Sequence, residues 1–143
     1  MFSKTKSESD RLGTWREFRK SFSGSDSDVA QAFANVQTEP RYIDYYTPES
    51  WPTVFEIVQE GMFCQSGLTL VLAATLSYLD FIKTPEVRLD VISNHITGTE
   101  GLVLNHDSKY YNFLPGKVVD EEFVRENATK FDSHIIAVDK LHG

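Results

Sequence analysis

The sequence of 143 residues has one cysteine, Cys64. A single cysteine excludes an intramolecular disulfide bond and a zinc site built from several thiolates. The longest apolar stretch, residues 68–79, is too short and too often interrupted by polar side chains to cross a bilayer. The first residues also lack the apolar core of a signal peptide. We therefore expect a cytoplasmic protein without membrane contact.

The sequence also lacks the short motifs that bind cofactors. It has no glycine-rich phosphate loop of the GxGxxG or GxxxxGK(S/T) type and no GxSxG nucleophile turn. No two of its four histidines (His95, His106, His134 and His142) have a metal-ligand spacing such as HxxxH. We therefore expect no cofactor and no metal.

Charge is distributed unevenly along the chain. The net charge is −7, yet the first 20 residues hold six basic and three acidic side chains, a net charge of +3, so the remaining 123 residues sum to −10. A body this acidic repels nucleic acid and anionic membranes. The basic N-terminal segment is interpreted either as a contact for phosphate or an acidic partner, or as a solvated tail.

Two short amphipathic helices are predicted near the N-terminus, over residues 11–22 and 28–36, with Ser27 as the cap of the second. An aromatic segment bounded by prolines, residues 39–48, follows them and is predicted to be extended. We place an organisational boundary here, with an N-terminal arm over residues 1–48 and a compact domain over 49–143. The arm is expected to dock on the domain or on another subunit.

The compact domain opens with two predicted helices. Thr53 and Glu56 have the spacing of a capping box, which predicts a helix over residues 54–60 that stops at Gly61. Ser66 is predicted to cap a second helix over residues 67–82, which is apolar on nearly all sides and should form the buried centre of the fold.

After Pro85 the hydrophobic period changes from helical to alternating. Residues 87–91 read as a strand, 93–100 as a polar loop, and 101–105 with 109–114 as a β-hairpin. A short helix over 120–127 and a last strand over 134–139 complete the pattern. The predicted class is therefore α+β, with a central buried helix packed on a small, largely antiparallel sheet and an N-terminal helical arm.

Cys64 is the strongest candidate for chemistry, because it lies just before a predicted helix N-terminus, where the helix dipole stabilises a thiolate. A cysteine nucleophile also needs a base, and the candidates are His95 and His106. The alternative is that Cys64 is a small buried apolar residue and that both histidines are solvated turn residues.

The order of a cysteine before a buried helix, a strand and the hairpin EGLVLNHDSKYYNFLPG (residues 100–116) resembles the core of the transglutaminase-like branch of papain-like cysteine hydrolases. The resemblance covers residues 63–116. In that family a histidine opens the hairpin strand and an Asp or Asn follows in the next strand. Here those positions fall near Glu100 or Gly101 and near Asn112, so the resemblance implies a catalytic set without its histidine.

A second resemblance concerns residues 50–76, SWPTVFEIVQEGMFCQSGLTLVLAATL, and the later string YNFLPGK. Both are similar to a group of small tailed-phage proteins with a WPTPWE-like motif, in which Val54 and Phe55 here replace the second Pro and the Trp. This resemblance implies a viral protein, located in the host cytoplasm or associated with the virion.

Two functions from different classes follow. The first is a non-catalytic phage accessory or structural protein that acts by protein–protein contact or self-association through the arm. Its expected interface is aromatic and consists of Trp15, Phe18, Phe33, Tyr42, Tyr45, Tyr46 and Trp51. The second is a cysteine-dependent amide hydrolase or acyl transferase that uses Cys64. The aromatic cluster of the linker has the alternative role of packing across the sheet.

Overall fold

The fold is α+β, as predicted from the sequence. A computed structural model describes residues 2, 6–40, 43–61 and 63–142. In chain order the elements are α1 (Glu8–Ser21), α2 (Asp26–Ala32), a 3-10 turn (Pro48–Ser50), α3 (Val54–Glu60), α4 (Gln65–Tyr78), β1 (Glu86–Asn94), β2 (Thr99–His106), β3 (Lys109–Tyr111), β4 (Val118–Asp120), α5 (Glu121–Asn127), β5 (Ala128–Ala137) and α6 (Val138–His142).

Helix α4 is the buried centre of the molecule, and every residue from Ser66 to Leu76 is buried. It begins two residues before the predicted start, because Cys64 and not Ser66 is the N-cap. It also ends four residues early. Asp80 adopts a left-handed backbone conformation with φ 64°, and the Phe81 N–H turns back to the Leu76 carbonyl, so the helix stops before Pro85 is reached.

The sheet has the strand order β4-β3-β2-β1-β5, and all its described pairs are antiparallel. Strand β1 lies between β2 and β5, with Leu89 opposite both Leu104 and His134. One face packs against α4 through apolar residues of β1 and β2 that include Val87, Leu89, Val91, Leu102 and Leu104. The other face carries a smaller cluster beneath α5, formed by Ile92, Val103, Tyr110, Phe113 and Val124.

Two predicted boundaries in the sheet are wrong. Half of the expected polar loop over residues 93–100 is strand, because β1 and β2 continue to a turn over 95–98 in which the Asn94 side chain accepts the N–H groups of Ile96 and Thr97. The last strand begins at Ala128 instead of 134. The first half of β5 is largely exposed, so it carries little of the apolar alternation by which a half-buried strand is recognised.

The N-terminal arm packs on the main body. Helices α1 and α2 begin at Ser7 and Ser25 caps, three and two residues earlier than predicted. Trp15, Val29 and Phe33 belong to the same hydrophobic cluster as α4. The hydrophobic core is therefore continuous across the boundary predicted at residues 48 and 49.

None of the helices in the described part of the chain has the length and apolar character needed to cross a membrane.

Candidate functional site

Cys64 lies at the start of α4 with its side chain turned into the protein. The thiol is 6% exposed, and its Sγ accepts the Gly67 N–H at 3.2 Å. A Cβ atom placed on Gly67 would lie 3.4 Å from Cys64 Sγ, 3.7 Å from Ile57 Cγ2 and 3.8 Å from Ile43 Cδ1. The thiol is therefore the helix cap, and it shares the surroundings of Gly67 with two isoleucine side chains.

The first turns of α4 lie along the edge of β2, beyond the point where β3 ends. The Leu102 N–H donates to Ser66 Oγ at 3.1 Å, and the Thr69 hydroxyl donates to the Leu102 carbonyl at 2.8 Å. Strand β3 pairs only with the last three residues of β2, so these two hydroxyls satisfy backbone groups that a neighbouring strand would otherwise bind.

Gly101 is the β2 residue beside the start of α4. A Cβ atom on Gly101 would lie 3.0 Å from Ser66 Oγ, and Ser66 is itself buried. With Glu100, Gly101 is one of the two positions near which the family resemblance expects a histidine. The space next to it is filled by the hydroxyl that bonds the Leu102 N–H.

Asn112 joins this end of the sheet to α4. Its amide donates to the Gln65 carbonyl at 3.1 Å and to Thr69 Oγ1 at 2.8 Å. In return, Gln65 Nε2 donates to the Asn112 carbonyl at 3.0 Å. The side chain at the third family position therefore serves as a hydrogen-bond donor to the helix, a role that a carboxylate cannot fill.

The two histidines proposed as bases lie elsewhere. Nε2 of His95 is 2.9 Å from the Thr129 hydroxyl on β5, which is separated from β2 by β1. His106 is the last residue of β2, five residues beyond Gly101, or about 17 Å along the strand. Among the described residues, no imidazole nitrogen is hydrogen-bonded to Cys64 Sγ.

The other two histidines are engaged with aromatic rings. Nε2 of His134 is 2.7 Å from the Tyr45 carbonyl oxygen, and its ring lies edge-on to Trp51. His142 stacks on Tyr78 at the last residue of α4, about 20 Å from the start of that helix.

The structure separates the predicted interface residues into two groups. Trp15 and Phe33 are in the core, with Phe18 half-buried against Phe33, so the arm uses its apolar stripe inside the chain. Tyr45 and Trp51 are half-buried against the core. Of the set, Tyr46 is the one with a largely exposed ring, at 55%. Tyr42 lies outside the described residues.

A cleft of about 720 Å³ lies away from Cys64. It lies at the other end of β2, where His106, Asp107 and Ser108 approach Arg88 and Glu121. Its lining mixes both signs of charge without a nucleophile paired to a base, so the residues in it define no reaction. We therefore base the site on Cys64.

Sequence reasoning missed Gln65, Ser66 and Thr69 as the residues that bind α4 to the sheet. A signal was present for Thr69, since a hydroxyl in a helix apolar on all sides needs a buried acceptor. The acceptor itself, the Leu102 carbonyl, is set by the packing of two distant elements and has no sequence pattern.

Comparison with solved structures identifies the layout. Calcium-bound LapG from Legionella pneumophila superimposes with a TM-score of 0.68 at 13% sequence identity, over 94% of this chain and 82% of that one. EGTA-treated LapG gives a TM-score of 0.65 at 13% identity, over 91% and 77%. The chain has the transglutaminase-like fold. The predicted resemblance is confirmed for the fold.

The same comparisons also mark the limits of the likeness. No protein family and no curated protein sequence matches this chain. Identity of 13% is a likeness of fold alone, and the predicted phage origin stays a prediction. In the part of the chain that the structure describes, no group of three or more His, Cys, Asp or Glu side chains could hold a metal ion.

Proposed function

We propose that this chain is a transglutaminase-like domain without hydrolase activity, and that it acts by binding another protein. The observation that carries the proposal is Gly101. Gly101 is one of the two positions, with Glu100, near which the family resemblance places the imidazole base; it has no side chain, and Ser66 Oγ occupies the adjoining space.

The chemistry of a cysteine nucleophile explains why a missing base near Cys64 argues against hydrolase activity. A thiol attacks an amide only when a base within hydrogen-bonding reach, about 2.6–3.2 Å and somewhat longer in free enzymes, removes its proton. Cys64 Sγ is instead buried and bonded to the Gly67 N–H. Without a base, attack on an amide has no route for the proton.

The alternative function is a cysteine-dependent amide hydrolase or acyl transferase. It is favoured by the fold shared with LapG and by the position of Cys64 at the N-terminus of the central helix. It requires either His95 or His106 to reach the thiol, which means crossing the width of β1 or the length of β2. Neither movement is compatible with the pairing of the sheet.

An ester-hydrolysis assay separates the two functions. The wild-type chain and its Cys64→Ser variant are mixed with p-nitrophenyl acetate, and the release of nitrophenol is followed through the first turnover. We expect equal slow rates and no burst, because no group generates the thiolate or accepts its proton. A burst close to one equivalent of enzyme in the wild type, absent from Cys64→Ser, would establish the hydrolase instead.

A further inference from the structure

Tyr78, the last residue of α4, has a basic side chain on each face of its ring. The Arg19 guanidinium carbon lies 4.2 Å from the ring centroid, and the His142 imidazole stacks with centroids 4.1 Å apart and an interplanar angle of 10°. Two groups this close to one centroid cannot share a face, so they lie on opposite sides of the ring. Tyr78 therefore joins α1 to α6.

Arg19 is fixed in this position by a second ring. Its guanidinium carbon also lies 4.2 Å from the Trp15 ring centroid, and Trp15 is buried in the hydrophobic core. The Trp15 indole donates to Thr75 of α4, which holds that ring in place. The positive charge of Arg19 therefore cannot leave Tyr78 without losing cation–π contacts with both rings.

The stack leaves two nitrogen atoms without hydrogen bonds. Arg19 Nε and His142 Nε2 are both buried and have no hydrogen-bond partner among the described residues. A neutral imidazole tolerates this, because one of its ring nitrogens carries no proton. An imidazolium carries a proton on both, so Nε2–H would become a buried charged donor without an acceptor. Protonation of His142 is therefore unfavourable while its ring remains on Tyr78.

The groups around His142 make this preference clear. Burial has the largest influence and lowers its pKa, Asp139 of α6 raises the pKa, and Arg19 of α1 lowers it. The other elements packed on α6 are α3 and β5, and the groups that shift the pKa of His142 come from neither. An imidazolium would gain a cation–π contact with Tyr78, but the Arg19 guanidinium already occupies the opposite face of that ring.

Helix α6 is a short element on the surface of the core. Val138 and Leu141 are buried in the main hydrophobic cluster, and the Val138 N–H donates to the Pro85 carbonyl at 2.8 Å. The side chains of Asp139 and Lys140 are exposed. In the described contacts, this helix of five residues is thus held by two apolar side chains, one backbone hydrogen bond and the His142 ring.

We propose that α6 is a proton-operated latch, in which protonation of His142 breaks its stack on Tyr78 and lets α6 detach from the core. In the closed form Leu141 lines a small cavity with Leu70 of α4 and Ile136 of β5, and the open form exposes both. The open form binds the proton more readily, so its population rises as the pH falls below the ordinary pKa of 6.5. The latch does not depend on the proposed function.

Amide hydrogen exchange followed by NMR measures the opening of α6. The Val138 N–H, bonded to Pro85, reports the latch, and the Leu72 N–H in the middle of α4 reports global unfolding. With each rate divided by the intrinsic rate at that pH, the opening constant at Val138 should rise about threefold to tenfold from pH 7.5 to pH 5.0. Low urea should leave it nearly unchanged, because a local opening exposes little surface.

Three variants test the electrostatic cause. Arg19→Met keeps an apolar chain between the two rings and removes the charge, so it should raise the pKa of His142 and reduce the pH dependence of opening. Asp139→Asn removes the attracting carboxylate and should do the opposite. Arg16→Met replaces an exposed cation of the same helix and, as the matched control, should behave as wild type. NMR titration of the His142 ring protons gives the pKa in each protein.

Two outcomes would overturn the inference. Equal protection of the Val138 and Leu72 amides at pH 5.0 would show that α6 opens only when the whole domain unfolds. An opening constant with the same pH dependence in wild type and Arg19→Met would show that the stack on Tyr78 does not set the proton affinity of His142.

Discussion

At the scale of single residues, Asn112 shows how the end of the sheet is joined to the central helix. Its backbone is left-handed, with φ 67°, a conformation that asparagine tolerates better than most residues. Its amide has two acceptors in α4, and a carboxylate placed there would face two oxygens without a proton to donate. The Asn112 amide is therefore held as a hydrogen-bond donor to α4.

Asn112→Asp is therefore expected to destabilise the chain, although the family resemblance allows either residue at this position. Loss of two buried hydrogen bonds should lower the free energy of unfolding by about 2–3 kcal/mol. Urea denaturation followed by tryptophan fluorescence measures the change. Asn127→Asp is the control, since the Asn127 amide bonds only the Phe123 carbonyl of its own helix, and an equal loss in both variants would contradict the assigned role.

The sequence predicted Cys64 at a helix start, but not that the thiol is the cap. Serine is a preferred N-cap and sulfur is a weak acceptor, so Ser66 was the natural choice. In the structure the Ser66 hydroxyl is needed by the Leu102 N–H, 36 residues away along the chain. Local propensity cannot register a requirement that exists only after the helix and the strand have met.

At the scale of elements, one buried carboxylate ties four strands together. Asp90 of β1 is fully buried. It accepts hydrogen bonds from Asn105 of β2, Tyr110 of β3 and Ser133 of β5, at 3.0, 2.8 and 2.6 Å, and Lys130 Nζ lies 3.3 Å away. Burial and the bond to Asp90 raise the pKa of Tyr110, which keeps the phenol a donor at all physiological pH values.

Asp90→Ala should be among the most damaging single changes in the sheet. It leaves the buried Tyr110 hydroxyl, the half-buried Ser133 hydroxyl and the half-buried Asn105 amide without their acceptor, and we expect a loss of about 3–5 kcal/mol in the free energy of unfolding. Asp132→Ala is the control, because that carboxylate is 44% exposed and lies 3.9 Å from His134, a contact worth at most about 1 kcal/mol. Similar losses in the two variants would refute the special role of Asp90.

The C-terminal helix α6 carries a pH-dependent contact. The His142 ring stacks on Tyr78 with centroids 4.1 Å apart, and burial lowers the pKa of His142 below its ordinary 6.5, with Arg19 acting in the same direction and Asp139 opposing it. The unfolded chain therefore binds the proton more readily than the folded one. The free energy of unfolding is therefore unaffected by His142 above pH 6.5 and decreases as the pH falls below that value, because protonation favours the unfolded chain.

His142→Phe should remove this pH dependence while keeping a ring on Tyr78. We expect the loss of unfolding free energy between pH 7.5 and pH 5.5 to be smaller in the variant than in wild type. Urea denaturation at the two pH values gives the comparison. An identical loss in both proteins would mean that other groups account for the acid sensitivity.

Elements with a strong local signal were predicted well. Helix α3 runs over Val54–Glu60 as predicted, since the Thr53 cap, Glu56 and Gly61 all act within one short segment. Helix α6 was missed, because five residues at the end of the chain give no helical period. The exposed half of β5 was missed for a related reason, since its pairing with β1 leaves little trace in the residues it contains.

At the scale of the whole molecule, the sequence predicted the class and the layout of the core, while the division into an arm over residues 1–48 and a domain over 49–143 stays a prediction. The amphipathic stripes of α1 and α2 were correctly read as faces that must be covered. The sequence could not show which elements cover these two apolar faces. Their cover is α4 and its neighbours: the Trp15 indole donates to Thr75 of α4 at 3.0 Å. Arg11 donates to the Val58 and Gln59 carbonyls that end α3.

A chain that begins at Glu49 should therefore fail to fold. Without α1 and α2, the core residues that pack against Trp15, Val29 and Phe33 would be exposed to solvent. The Val58 and Gln59 carbonyls would also lose the Arg11 donor. Burial of each large apolar side chain contributes about 1.5–3 kcal/mol, so three alone approach the 5–15 kcal/mol by which a domain of this size is stable. Circular dichroism and light scattering should show an aggregated chain without a cooperative melting transition. If residues 49–143 instead melt cooperatively as a monomer, the arm is a separable interaction segment, as the sequence first suggested.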